Sequence, residues 1–288
     1  MTDTAPAFIL TRPRHWANGV IFASPHSGCI YPDWFLASSR LPLNLLRSSE
    51  DAFIDRLIAC APDFGAVALS ACYPRALVDL NRGTEEIDPL VVTGAPRAPQ
   101  NQRTMAGLGV IPRVVSQGRT IHKKPITRSE ADRRLAAYWH PYHDALSSLI
   151  TEAHRRFGQA VLIDMHSMPR DALGNLSRPR PDIVLGNRHG KSASAHVSDA
   201  VTSACEDEGW QLRRNSPFSG AYIASTYGAP ARNIHVVQLE IDRSLYMDEA
   251  TLTPLPEFDD VAARISRIVR RLSVLDCAGR PPRSVAAE

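Results

Sequence analysis

The sequence predicts an α/β protein with a mixed, mostly parallel central sheet flanked by helices. Three observations carry that expectation. Short unbroken apolar runs recur along the 288 residues, at 19–23, 66–72, 75–80, 160–165, 182–186 and 234–241. Runs of this length without alternation read as strands buried on both faces, as in a parallel sheet covered by helices. Helical patterns lie between them, and alternation of the two types is the signature of α/β architecture. Two of the runs also end alike: Gly19 to Ala23 leads into Ser24-Pro25-His26-Ser27-Gly28, and Ala160 to Ile163 leads into Asp164-Met165-His166-Ser167. A histidine just past such a strand lies where open α/β sheets bind their ligands.

The helical elements follow in order. Leu43 to Ala61 carries apolar residues at Leu46, Phe53, Ile54, Leu57 and Ile58, with Ser48 or Ser49 feeding Glu50 and Asp51 as acids near a helix start. The clearest helix spans about 129–157. Thr127 and Glu130 make a capping box, Leu135, Trp139, Tyr142, Leu146, Leu149 and Phe157 form its apolar stripe, and Pro141 is expected to kink it. Residues 191–209 and 258–275 are further helices, the last with Arg264, Arg267, Arg270 and Arg271 as a solvated face. Residues 83–128 are rich in Gly, Pro and Arg with little periodicity, which suits a lid or binding loop. A single domain over 1–277 is expected, with 278–288 as a disordered tail.

Composition narrows the function classes. A formal net charge of +3 gives no case for a nucleic-acid partner. No apolar run approaches the roughly 18 residues of a membrane span, and no signal peptide is legible. The five cysteines, Cys29, Cys60, Cys72, Cys205 and Cys277, show no C-x-x-C spacing and are odd in number, which fits reduced thiols in the cytoplasm.

The two histidines at strand ends suggest a metal site assembled across a sheet edge. Imidazole suits zinc, and catalytic zinc takes three protein ligands, so a third, most naturally a carboxylate, is needed. Residues 73–82, YPRALVDLNR, bring Arg75, Asn81 and Arg82 to another apolar run; arginine binds a carboxylate through two parallel hydrogen bonds, and an anionic substrate follows. Glu240 sits in the strongly apolar stretch HVVQLEID, where charge is costly unless used, and burial there suits a general base; a salt bridge to Arg243 or Arg82 is the structural alternative. Tyr222, exposed on a turn after Gly220-Ala221, and His189, in the loop Gly186 to Gly190, are weaker candidates.

Taken together these residues resemble the N-formylglutamate amidohydrolase family. The resemblance runs in order through Ser24 to Gly28 with Tyr31-Pro32, Glu50-Asp51 with Phe53 to Asp55, Arg75 to Arg82, Gly107 to Gly109, Asp164 to Pro169, Gly220 to Tyr222, and Glu240-Ile241 leading to Leu245 to Glu249. It implies a zinc-carboxypeptidase-like fold, distantly similar also to the deacylases of N-succinylglutamate and N-acetylaspartate. It implies one zinc per chain on His26, His166 and a carboxylate, with Asp51 preferred and Glu50 as alternative. Asn81 and Arg82 then clamp a substrate carboxylate, with Arg75 or an arginine of 97–119 on the other, Tyr222 lines the substrate and Glu240 is the base. The expected partner is a small N-acyl acidic amino acid, with N-formyl-L-glutamate giving formate and glutamate in histidine breakdown. Two departures stand out: Cys29, where the relatives of the family place a glutamate three residues after the first histidine, and Ala221, where a second glycine is expected. Two alternatives follow, the same zinc chemistry on another N-acyl amino acid and a non-catalytic binder of an acidic amino acid.

Overall fold

The computed structural model describes residues 5–95, 101–174 and 179–277. A seven-stranded sheet forms from β1 (Phe8–Thr11), β2 (Val20–Ser24), β3 (Val67–Ala71), β4 (Ala160–Met168), β5 (Ile183–Gly186), β6 (Leu212–Arg214) and β7 (Ile234–Asp242), in the order β1-β3-β2-β4-β7-β5-β6. The pairings β3–β2, β2–β4, β4–β7 and β5–β6 are parallel, and β1–β3 and β7–β5 are antiparallel, so the sheet is mixed and mostly parallel as expected. The short edge strands β1 and β6 were not among the expected strands, although β1 carries the apolar run Ala7 to Leu10.

Period-two alternation divides the strands between two cores. Val20, Phe22, Val161, Ile163, Val237 and Leu239 face the helices α1 (Ile54–Ile58), α4 (Ala195–Glu206) and α6 (Phe258–Ser273). Ile21, Ala23, Leu162 and Val236 face α2 (Arg128–Arg134) and α3 (His140–Phe157). Along that second face β4 and β7 change character together. Leu162 is followed two residues on by Asp164 and then His166, and Val236 by Gln238 and Glu240, with Asp164 opposite Gln238 and His166 opposite Glu240 in the parallel register. The chain leaves β2 for β3 on one side and returns to β4 on the other, and the crevice at such a switch of direction is where these sheets bind ligands.

Four expectations need correction. His166 lies inside β4, which continues to Met168, rather than in a loop beyond it. Residues 75–80 are not a strand: the backbone N–H groups of Leu77 and Val78 turn back to the Pro74 carbonyl, and Asp79 N–H reaches Val110. A continuous apolar run reports burial and not geometry. The helix expected from Leu43 to Ala61 breaks in the middle. Ser48 and Ser49 donate to the carbonyls of Leu45 and Leu46, ending the first turn rather than capping a next one. Glu50 is extended and Phe53 left-handed at φ 68°, because Asp51 N–H donates to the His26 carbonyl at 3.0 Å and tertiary bonding overrides the helical pattern. The long helix 129–157 is likewise divided. Thr127 accepts from Glu130 N–H as expected, but a wide π-type turn at Leu135–Trp139 separates α2 from α3, with Pro141 in the first turn of α3.

Among the described residues, 83–128 carry two short strand pairs, Val92–Thr93 with Ile126–Thr127 and Val114–Val115 with Arg119–Thr120, a turn of α-helix at Gln102–Met105 and a 3-10 turn at Ser116–Gly118. The arginine face of α6 is tied down at Arg267, which pairs with Glu208, and at Arg271, which pairs with Asp207. The tail at 278–288 lies outside the described residues. No helix among the described residues is long and apolar enough to cross a membrane.

Candidate active site

His26, Asp51 and His166 meet at the β2–β4 crevice, with one potential ligand atom from each lying within 4.8 Å of the others. Each comes from a different element: the turn after β2, the break before α1, and the polar end of β4. Asp51 Oδ2 faces both imidazoles through their Nδ1 atoms, at 3.4 Å from His26 and 2.9 Å from His166. All three side chains are buried, and His26 Nδ1 has no hydrogen-bond partner. The opposite ring nitrogens are held by carboxylates, His26 Nε2 by Asp79 Oδ1 at 2.7 Å and His166 Nε2 by Asp164 Oδ2 at 3.1 Å. A carboxylate on the far nitrogen fixes the tautomer that turns a lone pair toward a metal. Two imidazoles oriented this way around a carboxylate oxygen, with one buried nitrogen unpartnered, fit a zinc-type donor set.

Glu50, the alternative acid, points elsewhere. It is bonded to Arg47 at 3.1 Å, and burial, only partly offset by the Arg47 and Tyr31 contacts, leaves its carboxyl raised above its ordinary range. Asp51 Oδ1 is gripped by Arg243 Nη2 at 3.1 Å and by Ser167 Oγ at 3.2 Å. Arg243 is therefore not the partner of Glu240.

The electrostatics favour a cation. Burial opposes charge on His166, but Asp164 and Asp51 overcome it and raise that imidazole well above its usual range. Burial pushes Asp51 up, yet the hydrogen bond from His166 and the imidazole of His26 beside it hold it well below the ordinary carboxylate range. Asp79 is likewise lowered against burial, by Arg75 and His26. Glu240 goes the other way: burial raises its carboxyl, with only partial relief from His166. Its one described hydrogen bond comes from Gln238 Nε2 to Oε1 at 2.7 Å.

The basic candidates are more engaged than the sequence suggested. Arg75 donates through Nη2 to Asp79 Oδ2 at 2.7 Å, so it stands behind His26 in an Arg75–Asp79–His26 chain. Arg82 donates through Nε to Leu108 O at 2.8 Å and through Nη1 to Asn81 O at 2.6 Å. Asn81 Oδ1 accepts from Ile223 N–H at 2.8 Å while its Nδ2 lies 3.2 Å from His166 Nε2. A wall of rings backs this segment. Trp139 Nε1 donates to Arg82 O at 2.9 Å, His143 Nε2 to Leu80 O at 2.8 Å, and Tyr222 packs edge-on to His143 at 5.5 Å between centroids. Tyr222 also lines a cavity of about 950 Å³ with Arg103, His140, Arg188, Gly220 and Ala221. The cavity wall is tied to the buried centre by hydrogen bonds, from Ala221 N–H to Gln238 Oε1 at 3.0 Å and from Gln238 Nε2 to Glu240, while His26, Asp51, His166 and Glu240 do not themselves line it. His189 is exposed and outside the centre.

Sequence reasoning assigned no role to Asp79, Asp164 or Gln238, and offered Arg243 only as a salt-bridge partner of Glu240. For three of them a signal was present: each stands two residues before a residue already suspected, Asp79 before Asn81, Asp164 before His166 and Gln238 before Glu240.

Comparison with known proteins places this geometry. The family model described as N-formylglutamate amidohydrolase matches residues 18–247, which includes the His26, Asp51, His166 and Glu240 positions. The chain belongs to the N-formylglutamate amidohydrolase family. It is 32% identical over 226 residues to an N-formylglutamate deformylase of Pseudomonas aeruginosa, covering 77% of this chain and 79% of the relative. It is 30% identical over 225 residues to the Pseudomonas putida enzyme of the same name, with the same coverage of 77% and 79%. The crystal structure of an N-formylglutamate amidohydrolase from Ralstonia eutropha JMP134 superposes with a TM-score of 0.88 at 32% identity, over 93% of this chain and 98% of that one. A gene product of Agrobacterium tumefaciens shares the fold at TM-score 0.63 and 16% identity, over 93% and 94% of the two chains. As a member of this family the chain is a hydrolase.

Proposed function

We propose that the chain is a zinc-dependent amidohydrolase that cleaves N-formyl-L-glutamate to formate and L-glutamate, with one zinc per chain on His26, Asp51 and His166. The observation that carries the reading is the pair of Nδ1 atoms converging on Asp51 Oδ2, with Glu240 beside His166 in register. Family membership and the names of the relatives support the substrate. Zinc, when bound, supplies Lewis acidity to the scissile carbonyl and to water. Glu240, raised by burial, takes a proton from the attacking water and returns it to the leaving amine nitrogen. Asp79 and Asp164 hold the imidazoles in the ligating tautomer. Asn81, Arg82 and the part of the Arg75 guanidinium not bound to Asp79 anchor a substrate carboxylate, with Tyr222 on the rim. Anchoring at one end orients the amide and lowers the entropic cost of attack. Residues 83–128 act as the lid, within one metallohydrolase domain over 1–277. A cytoplasmic role in histidine breakdown suits the free thiols of Cys29, Cys60, Cys72, Cys205 and Cys277.

The cavity of about 950 Å³ favours a second reading, the same chemistry on a bulkier N-acyl amino acid, because small-ligand pockets begin near 300 Å³. The non-catalytic alternative leans on Cys29, which Asp51 offsets by standing against both imidazoles. The test is zinc content together with formate release from N-formyl-L-glutamate before and after chelation. About one zinc per chain with chelator-sensitive turnover is expected. Faster turnover of the N-acetyl or N-succinyl compound would select the second reading, and failure to bind any divalent metal after reconstitution would overturn both.

A further inference from the structure

After β5 the chain turns sharply through Asn187-Arg188-His189-Gly190. Arg188, His189 and Gly190 are all left-handed, at φ 51°, 55° and 86°. Side-chain-bearing residues there carry a local cost and persist only when their surroundings over-determine them. Here they do. Asn215 Oδ1 accepts from the backbone N–H groups of Asn187 at 3.0 Å and His189 at 3.3 Å, Asn187 Oδ1 accepts from Gly190 N–H at 3.1 Å, and Arg188 N–H donates to Ser219 O at 2.7 Å. The outcome of all this bonding is the direction taken by one side chain. The Arg188 stem lies across Gly220, where an added Cβ would sit 3.0 Å from Arg188 Cγ, and its side chain forms part of the cavity wall beside Tyr222.

Arg188 and Arg103 differ from the other arginines around the site in that, among the described residues, no hydrogen-bonded partner holds the guanidinium, and of the two Arg188 is the one carried by the left-handed turn and laid across Gly220. Arg75 is bound to Asp79, Arg82 to two carbonyls, Arg128 to Asp132 and Arg243 to Asp51. Among the described residues, no carboxylate or carbonyl meets the Arg188 guanidinium. A half-buried fork of donors left unpaired in a cavity wall is a receptor for a planar anion. The wall is also two hydrogen bonds from the base, through Ala221 N–H to Gln238 and Gln238 to Glu240. We propose that Arg188 receives the side-chain carboxylate of the acidic amino acid and thereby sets the substrate choice of this site. The inference rests on the deformylase reading for the identity of the substrate, and it moves the second carboxylate contact away from the arginines of 97–119 to a residue on the opposite wall.

The variant Arg188→Gln tests it. KM for N-formyl-L-glutamate is expected to rise about ten- to a hundredfold, the range for losing a hydrogen bond to a charged group. KM for N-formyl-L-glutamine, which has no side-chain carboxylate, is expected to change by less than about threefold, and Arg188→Lys should restore part of the loss. A binding measurement separates this from the deformylase reading. Calorimetry on the metal-free protein should show L-glutamate preferred over L-glutamine by about tenfold or more in the unaltered chain and not in Arg188→Gln, with the thermal midpoint unchanged. If neither formyl compound is hydrolysed but that preference depends on Arg188, the deformylase reading falls and the carboxylate receptor stands. Equal losses on both substrates, a preference that survives in Arg188→Gln, or no preference in the unaltered chain would overturn the proposal. Should Arg188→Gln fail to fold, a glutamate preference unchanged in Arg188→Lys and in a folded Arg188→Met would overturn it equally.

Discussion

The buried centre and the cavity beside it treat charge in opposite ways. At the centre nearly every ionised group arrives already partnered: Asp51 between two imidazoles and Arg243, Asp79 between Arg75 and His26, and Asp164 on His166. In the cavity wall Arg188 keeps its donors unpaired. A paired group in a low-dielectric interior is rigid and aimed, and an unpaired one in a wet cavity waits for a ligand. On the proposed reading, the contrast separates two jobs, performing the reaction and choosing the substrate. Changes at the centre should depress turnover of every substrate alike, and changes in the cavity should alter the ranking of substrates.

The largest effect is expected from His26→Ala or His166→Ala, each removing a ligand and leaving a buried carboxylate without its counter-charge. Zinc measured by atomic emission should fall to a small fraction of one per chain, with formate release at background. Glu240→Gln should keep its metal and lose about 10²–10⁴ in kcat, the usual yield of a positioned proton carrier. Because burial raises the Glu240 carboxyl and the base must be ionised, kcat/KM in the unaltered enzyme should rise with pH through a value above the ordinary glutamate range. That limb should vanish in Glu240→Gln. Asp79→Asn spares all three ligands and should weaken zinc about 10- to 100-fold in a chelator competition, with equal losses on the glutamate and glutamine substrates. A change in their ratio would break the division of labour.

A milder effect concerns two buried imidazoles, His143 in the wall of rings and His122 on the Pro112 carbonyl. Burial lowers the imidazoles of His122 and His143 to about 4. Both rings are neutral in the fold while the unfolded chain protonates them near 6.5, so between about pH 4 and 6.5 the unfolded chain holds more protons. Stability should therefore fall as pH drops through that window, by at most on the order of 3 kcal/mol for each ring. Urea midpoints at pH 7 and pH 5 would measure it, and His122→Gln should flatten the difference. Tyr222→Phe, which keeps the ring packing on Trp139 and His143, should cost only a few-fold in kcat/KM.

How much of this was legible in sequence depends on whether the signal was local. His166 and Glu240 stood out because each interrupts an apolar strand run, where a polar group needs a reason, and His26 because it follows one directly. Asp51 was harder: the pattern around it is helical on both sides, and only the bond from its N–H to the His26 carbonyl, between segments far apart in sequence, breaks the helix and turns the carboxylate inward. The commitment of Arg75 to Asp79 could not be anticipated, because the apolar run holding both looked like a strand and is a turn. Arg188 had only a glycine-bounded loop to mark it. The alignment of Glu240 with His166 is a property of the β4–β7 register, which no single segment encodes.

The scattering of the metal-site residues along the chain also bears on how the molecule is made. Asp51 meets His166 across 115 positions and Arg243 across 192. A zinc finger closes its site within a short segment, so the ion can organise the fold from the start. Here all three ligands are present once residue 166 has been synthesised, but β4, which holds His166, gains its second neighbouring strand only when β7 is slotted between β4 and β5. Such distant pairings form late and slowly. Metal uptake during biosynthesis should thus report a finished sheet, and a nascent chain arrested before residue 234 should leave the ribosome without zinc.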